Sequence, residues 1–191
     1  MIAKKSDITK DMDVRIILDN IRSVFNVGSI FRTAETLGIK KIYCVGITPT
    51  PLDRFGRKRK DLAKVALGAE DILVWEHVKD DGITGITKSV GGVATLIKRL
   101  KKEKFKIIAL EQAPNAVDYK DVKVNTRKNN FSNDGHCTDK AVVILGNEVD
   151  GVSADLLELA DVVAEISMAG QKESLNVSVA GAVFLFRLLD K

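Results

Sequence analysis

Short continuous apolar runs alternate along this chain with longer stretches in which apolar positions recur every three or four residues. The runs predict strands at Val14–Leu18, Lys41–Val45, Ile72–Trp75, Phe105–Leu110, Ala141–Leu145 and Val162–Ile166. Most lack a strict apolar–polar alternation, which suits a parallel sheet covered on both faces. The helical period falls between them. Val27–Leu37 is predicted as a helix, with Asn26 as its N-cap and Gly38 placed to end it. In Val90–Lys102, Val93, Leu96, Ile97 and Leu100 make an apolar stripe, and Lys98, Arg99, Lys101 and Lys102 fill the solvent side. Ser153 is placed to cap a helix over Ala154–Leu159. A last helix, from about Leu175 to Leu189, is apolar on nearly every side and must be buried all round. A subunit interface is a natural cover for its outer face. The order of elements predicts an α/β domain with a mostly parallel sheet flanked by helices.

Composition narrows the class. The 191 residues suit one domain over 1–191, and 45% hydrophobic content supplies a sizeable core. No apolar run reaches the roughly 20 residues of a membrane span. Residues 1–13 mix both charge signs without an apolar centre, so they read as a short N-terminal extension rather than a signal peptide. Cys44 and Cys137 stand far apart with no Cys/His cluster, so reduced thiols in a cytoplasmic protein are expected and a zinc site is not. A net charge of +4 hints at a polyanionic partner. Two segments break the pattern: the basic, Pro-containing loop Ile47–Lys60 and the long polar stretch Glu111–Asp139.

A parallel α/β sheet invites a dinucleotide reading, but the chain contains no G-x-G and no P-loop. Gly82–Gly85 spells G-x-x-G, but Ile83 and Thr84 fill it in place of basic residues, and it reads as an ordinary turn. Three polar islands stand out instead. The first, Asn20–Ala34, concentrates Asn20, Arg22, Asn26 and Arg32 where strand one passes into helix one. Capping explains Asn26 alone; it does not explain Arg32. The second, Leu145–Ser153, sets Gly146, Glu148 and Asp150 after an apolar strand, with Gly146 allowing close backbone approach to a ligand. The third, Ile166–Ser178, carries Gly170, Ser174, Asn176 and Ser178 into the last helix. Ligands of α/β sheets bind outside the carboxyl ends of strands, where all three islands lie.

Together the islands resemble the three signature motifs of the SpoU (TrmH-like) family of RNA ribose 2′-O-methyltransferases, in the SPOUT superfamily. The first is matched by Asn20-Ile-Arg-Ser and Asn26-Val-Gly-Ser-Ile-Phe-Arg32-Thr-Ala, the second by Leu145-Gly-Asn-Glu148-Val-Asp-Gly151-Val-Ser. The third is matched by Ile166-x-Met168-x-Gly170-x-x-x-Ser174-Leu-Asn176-Val-Ser-Val-Ala. Ser167 replaces the family's usual proline, which implies a slightly looser loop. Residues 125–138 look like a loop insertion.

The resemblance implies a C-terminal trefoil knot, which pattern reasoning alone rejects. It implies a homodimer with the knot helix at the interface, and S-adenosyl-L-methionine held in the knot mainly by loop backbone. The substrate it implies is RNA, either tRNA or rRNA, and not DNA. Arg32 is then expected to act on the 2′-hydroxyl, either taking its proton or stabilising developing charge, since free arginine is almost never deprotonated. Asn26 is expected to position Arg32 or the ribose, Glu148 to support the site, and Ser174 and Asn176 to shape its loops. Backbone around Leu110, Gly146, Ile166, Met168, Ser174 and Leu175 is expected to hold the cofactor. Arg22, Arg54, Arg57, Lys58, Arg59 and Lys60 are expected to meet RNA, whose phosphates give affinity rather than sequence choice. Lys98–Lys106 reads as a solvated helix face. The competing reading is a non-catalytic RNA-binding or ribosome-assembly factor that retains the fold.

Overall fold

The computed structural model describes residues 12–79, 92–124 and 139–190. The Gly82–Gly85 turn, the 125–138 insertion with Cys137, and most of the N-terminal extension lie outside the described residues. In chain order the elements are β1 (Met12–Asp19), α1 (Val24–Leu37), β2 (Lys41–Val45), α2 (Lys60–Ala66), α3 (Ala69–Ile72) and β3 (Val74–Val78). There follow α4 (Val93–Lys102), β4 (Lys106–Leu110), β5 (Val117–Asp118), a 3-10 turn (Tyr119–Asp121), β6 (Asp139–Leu145), α5 (Ala154–Leu159), β7 (Val162–Glu165) and α6 (Val177–Leu188).

The seven strands form one sheet in the order β3-β2-β1-β6-β4-β7-β5, and every described pairing is parallel. All carboxyl ends therefore share one edge. Alternate strand residues sort onto two covered faces, as continuous apolar runs require. Val14, Ile16, Leu18, Ile42, Cys44, Val143 and Leu145 pack with Phe31, Ala34 and Leu62 and with Phe184 and Leu185 of α6. Ile17, Tyr43, Val45, Ile107, Val142 and Ile144 pack with Leu96, Ile97 and Leu100 of α4 and Leu156 of α5. Each such side chain contributes about 1.5–3 kcal/mol by burial. Chain order reverses between β1, which leads through α1 towards β2, and β6, which leads through α5 towards β7. That crevice is where a doubly wound sheet binds ligands.

Several boundaries differ from expectation. α1 starts at Val24 because Ser23, not Asn26, is its N-cap: the Ser23 hydroxyl accepts from the Asn26 amide at 3.3 Å. Gly38 ends α1 with φ 73°. The strand expected at Ile72–Trp75 lies at Val74–Val78, and Ala69–Ile72 is instead a helical turn after Gly68. α4 begins at Val93. Ser153 precedes α5 as expected, but its side chain makes no cap bond; its amide donates to Asp19 Oδ2 at 3.0 Å. α6 begins at Val177, with Asn176 as its cap. It is not buried all round in one chain: Phe184 and Leu185 face the core while Val179, Val183 and Phe186 form an exposed stripe.

Candidate active site

At the carboxyl edge, the segments after β4, β6 and β7 and the start of α6 enclose a cavity of about 370 Å³. Leu110, Leu145, Ile166, Met168, Leu175 and Ala180 give it apolar wall, and Glu111, Glu148, Ser174 and Asn176 give it polar rim. A volume of this size suits a small ligand. Gly146 lines it too, and its lack of a side chain also serves the chain's own packing. A Cβ there would overlap the backbone of Gly151 and Val152, so glycine lets the chain's own next turn approach closely. That turn is tied by Asn147–Gly151 backbone bonds of 3.0 and 3.2 Å, and by Asn147 Oδ1 accepting the Val149 and Asp150 amides at 2.8 Å.

Glu148 stands at the centre of a polar network joining the three islands. Its carboxylate accepts the Arg22 amide at 3.0 Å, the Ser23 amide at 3.1 Å and Asn26 Nδ2 at 2.7 Å. The α1 N-terminus, rich in unpaired amides, is a natural seat for this anion. Partial burial works against its ionisation, but the Arg22 amide and the Asn26 side chain outweigh it and hold the carboxyl below its ordinary range. Asn26 Oδ1 in turn accepts Asn176 Nδ2 at 3.0 Å, and Asn176 Oδ1 caps α6 through the Ser178 amide at 2.9 Å and the Ser178 hydroxyl at 2.6 Å. Thus 150 residues of sequence separation close in one side-chain bond.

Two carboxylates passed over in the sequence hold this edge together. Asp19, 3% exposed at the end of β1, accepts the Ser153 amide, and Glu111 accepts the Val152 amide at 2.8 Å and the Gln112 amide at 2.9 Å. Gln112 Nε2 donates to the Glu173 carbonyl at 2.6 Å, tying the β4 end to the loop before α6. The only sequence signal was an acidic residue directly after an apolar run.

The structure therefore brings Asn26, Glu148 and Asn176 together at one rim, and Leu110, Gly146, Ile166, Met168, Ser174 and Leu175 around one cavity. Ser167 sits exposed between two of these lining residues. Arg32 does not line the cavity. It is exposed on α1, six residues and about 9 Å of helix beyond Asn26, and its guanidinium has no hydrogen-bond or ion-pair partner among the described residues. Arg22 is exposed, with its guanidinium 3.5 Å from Asp150.

The basic segment forms its own groove beside His77 at the ends of β2 and β3. Much of its charge is paired: Arg57 with Asp53 at 2.8 Å, Lys58 with Asp71 at 2.8 Å and Arg59 with Asp61 at 2.8 Å. Arg54 and Lys60 have no ion pair among the described residues. No group of His, Cys, Asp and Glu among the described residues could hold a metal ion. Cys44 is a buried thiol pushed up to about 12 by loss of solvent. No described helix is long and apolar enough to cross a membrane.

A parallel doubly wound sheet with a small-ligand cavity over the carboxyl ends of β6, β4 and β7, and an Asn–Glu–Asn network joining that cavity's rim to α1, defines an α/β protein with a candidate ligand site. The sequence model of the SpoU rRNA Methylase family matches residues 13–186, and the chain belongs to that family. A similar curated protein is the tRNA (guanosine(18)-2′-O)-methyltransferase of Escherichia coli K12, 26% identical over 91% of this chain and 62% of its own length. Among solved structures, the AdoMet-bound rRNA methyltransferase of Sinorhizobium meliloti superimposes with TM-score 0.71 at 22% identity, covering 95% of this chain and 59% of that one. The A. aeolicus TrmH/SpoU tRNA modifying enzyme gives TM-score 0.69 at 24% identity, over 93% and 74%. The chain thus spans about three-fifths of the E. coli and S. meliloti relatives.

Proposed function

We propose that this protein transfers a methyl group from S-adenosyl-L-methionine to a ribose 2′-hydroxyl of RNA. The observation that carries the reading is the Glu148–Asn26–Asn176 network, which gathers all three motif segments at the rim of one cavity. The cavity fits the cofactor: apolar side chains suit an adenine ring, while backbone turns at Gly146 and Ile166 and the carboxylate of Glu111 suit its polar and cationic parts.

When bound, the cofactor supplies a methyl group on a sulfonium, already activated for displacement. The chain's task is to hold the hydroxyl in line and to ease the loss of its proton. Glu148 is a poor proton acceptor, because three donors occupy it and its pKa is depressed. It is a positioning residue for Asn26 and the α1 N-terminus. Arg32, with an uncommitted guanidinium, is the group assigned to the hydroxyl and the adjacent phosphate, acting chiefly by stabilising negative charge. Ser174 and Asn176 shape the rim, and Arg54 and Lys60 offer unpaired cations to RNA.

Residues 1–191 are read as one catalytic domain with a C-terminal trefoil knot, working in the cytoplasm as a homodimer. The exposed Val179, Val183 and Phe186 stripe of α6 supports the dimer. The similar proteins are named for tRNA and for rRNA, so either RNA is a candidate substrate. The test is incubation with methyl-labelled cofactor and total RNA, then alkaline hydrolysis. A methylated 2′-oxygen blocks cleavage of its phosphodiester, so label is expected in alkali-resistant dinucleotides. Cofactor binding with no label in any RNA would favour a non-catalytic RNA-binding role.

A further inference from the structure

Phe55 is a large aromatic side chain set in the open. The residue is 65% exposed, in a groove of about 1000 Å³ that also holds Arg54, Arg57, Lys60 and His77. The segment carrying it is a hydrogen-bonded turn. Asp53 Oδ1 accepts the Phe55 amide at 2.8 Å and the Arg57 amide at 3.0 Å, Leu52 pairs with Lys58, and Gly56 takes φ 76° at the tip. Two guanidinium groups lie against the ring: Arg54 at 4.7 Å and Arg57 at 4.9 Å from its centre. They are held differently. Arg57 is clamped by Asp53 at 2.8 Å, whereas Arg54 has no ion pair among the described residues and can swing aside.

The groove and the cofactor cavity open on the same edge of the sheet. β2, which feeds the groove, and β6, which feeds the cavity, flank β1, so they lie about 10 Å apart. The turn after β1 separates them and is fastened to both. Asn20 Oδ1 accepts the Ile47 amide at 3.1 Å on the groove side, while the Arg22 and Ser23 amides bind Glu148 on the cavity side. Such a span is short enough for neighbouring nucleotides of one strand.

We propose that Phe55 is a stacking platform for an unpaired base of the RNA substrate, near the nucleotide that enters the cavity, with Arg54 moving from the ring to the adjacent phosphate. The inference rests on the proposed RNA methyltransferase function and adds a requirement for single-stranded RNA at this position. An aromatic face among cations is the chemistry that recognises single-stranded nucleic acid, because every base has a face to stack while paired bases do not offer one. With Arg57, Lys58 and Arg59 already paired, the groove offers an exposed ring beside Arg54 and Lys60, which suits a base and its phosphate.

The test compares two RNAs of the same sequence, one a hairpin with an unpaired loop and one fully paired. Both are titrated against the full chain by fluorescence anisotropy. Phe55→Ala is expected to weaken the looped RNA about tenfold, near 1.4 kcal/mol, with the duplex unchanged. Phe55→Trp retains wild-type affinity. Arg54→Ala lowers the slope of log affinity against log salt by about one, while Phe55→Ala leaves it alone. Unchanged binding of the looped RNA by Phe55→Ala, equal losses on both RNAs, or no binding by the wild type would each overturn the platform. Methyl transfer is scored separately. Transfer without dependence on Phe55 keeps the enzyme and removes the platform; Phe55-dependent binding without transfer does the reverse.

Discussion

Asn176 donates its side-chain amide to Asn26 Oδ1 at 3.0 Å, and this bond decides which way Asn26 faces. With its oxygen taken by α6, Asn26 turns its NH₂ onto Glu148 at 2.7 Å. One asparagine therefore reads the first helix, the second island and the third at once. Asn26→Asp replaces the donor by a carboxylate facing another carboxylate. The expected outcome is at least a tenfold fall in methyl transfer with a loss of about 1 kcal/mol in stability, measured by steady-state kinetics and urea unfolding. Asn26→Asp with full activity would mean that the network is ornamental.

Glu148 gives a pH signature. Its folded pKa lies below the ordinary glutamate value of 4.5, through the Arg22 amide and Asn26 despite an opposing burial cost. A depressed carboxylate contributes stability above its unfolded pKa and loses it as pH falls through the folded one. Wild type should therefore be more stable than Glu148→Gln at pH 7, with the gap closing below about pH 4.5. Melting temperatures of both proteins from pH 7 to pH 3 check this. Asp53 and Asp61, also held low by their arginine partners, are common to both and cancel in the difference.

Gly146→Ala puts a methyl group into the backbone of Gly151 and Val152, which cannot yield as a side-chain tip can. A destabilisation of about 3 kcal/mol is expected, at the upper end for overpacking, with loss of cofactor binding by calorimetry. Gly170→Ala is the control, since nothing lies within 4 Å of its added Cβ.

The α6 stripe makes the oligomer testable. Val183 is 38% exposed in one chain. Wild type is expected to sediment at twice its 20.9 kDa chain mass, and Val183→Asp as the single chain with its melting curve little changed. A wild type that sediments as one chain removes the dimer.

What the sequence made legible follows from local physics. β1, β2, β4 and β6 are largely buried on both faces, so most of their residues had to be apolar. β3 was misplaced because it is an edge strand with one buried residue, Val78, and five residues leave little pattern. β5, two residues long, carries none. The start of α1 was missed because Ser23 and Asn26 are both good caps, and only the folded chain shows that Glu148 has claimed the Asn26 side chain. The motif residues were legible through resemblance. Asp19 and Glu111 were not, because each satisfies an amide 134 or 41 residues away, which no local period records. The pairing of Arg57, Lys58 and Arg59 was hidden for a different reason: their carboxylates lie only 4, 13 and 2 residues away, but outside a regular element spacing does not say which side chains meet.

The most direct measurement sets wild type beside Arg32→Ala with methyl-labelled S-adenosyl-L-methionine and RNA. Label in alkali-resistant dinucleotides is counted, and cofactor affinity is measured on the same preparations. The account predicts label with wild type, a loss of at least a hundredfold with Arg32→Ala, and equal cofactor affinity, because Arg32 lies outside the cavity wall. Full turnover by Arg32→Ala, or label that alkali releases from the wild-type product as mononucleotides, would contradict it.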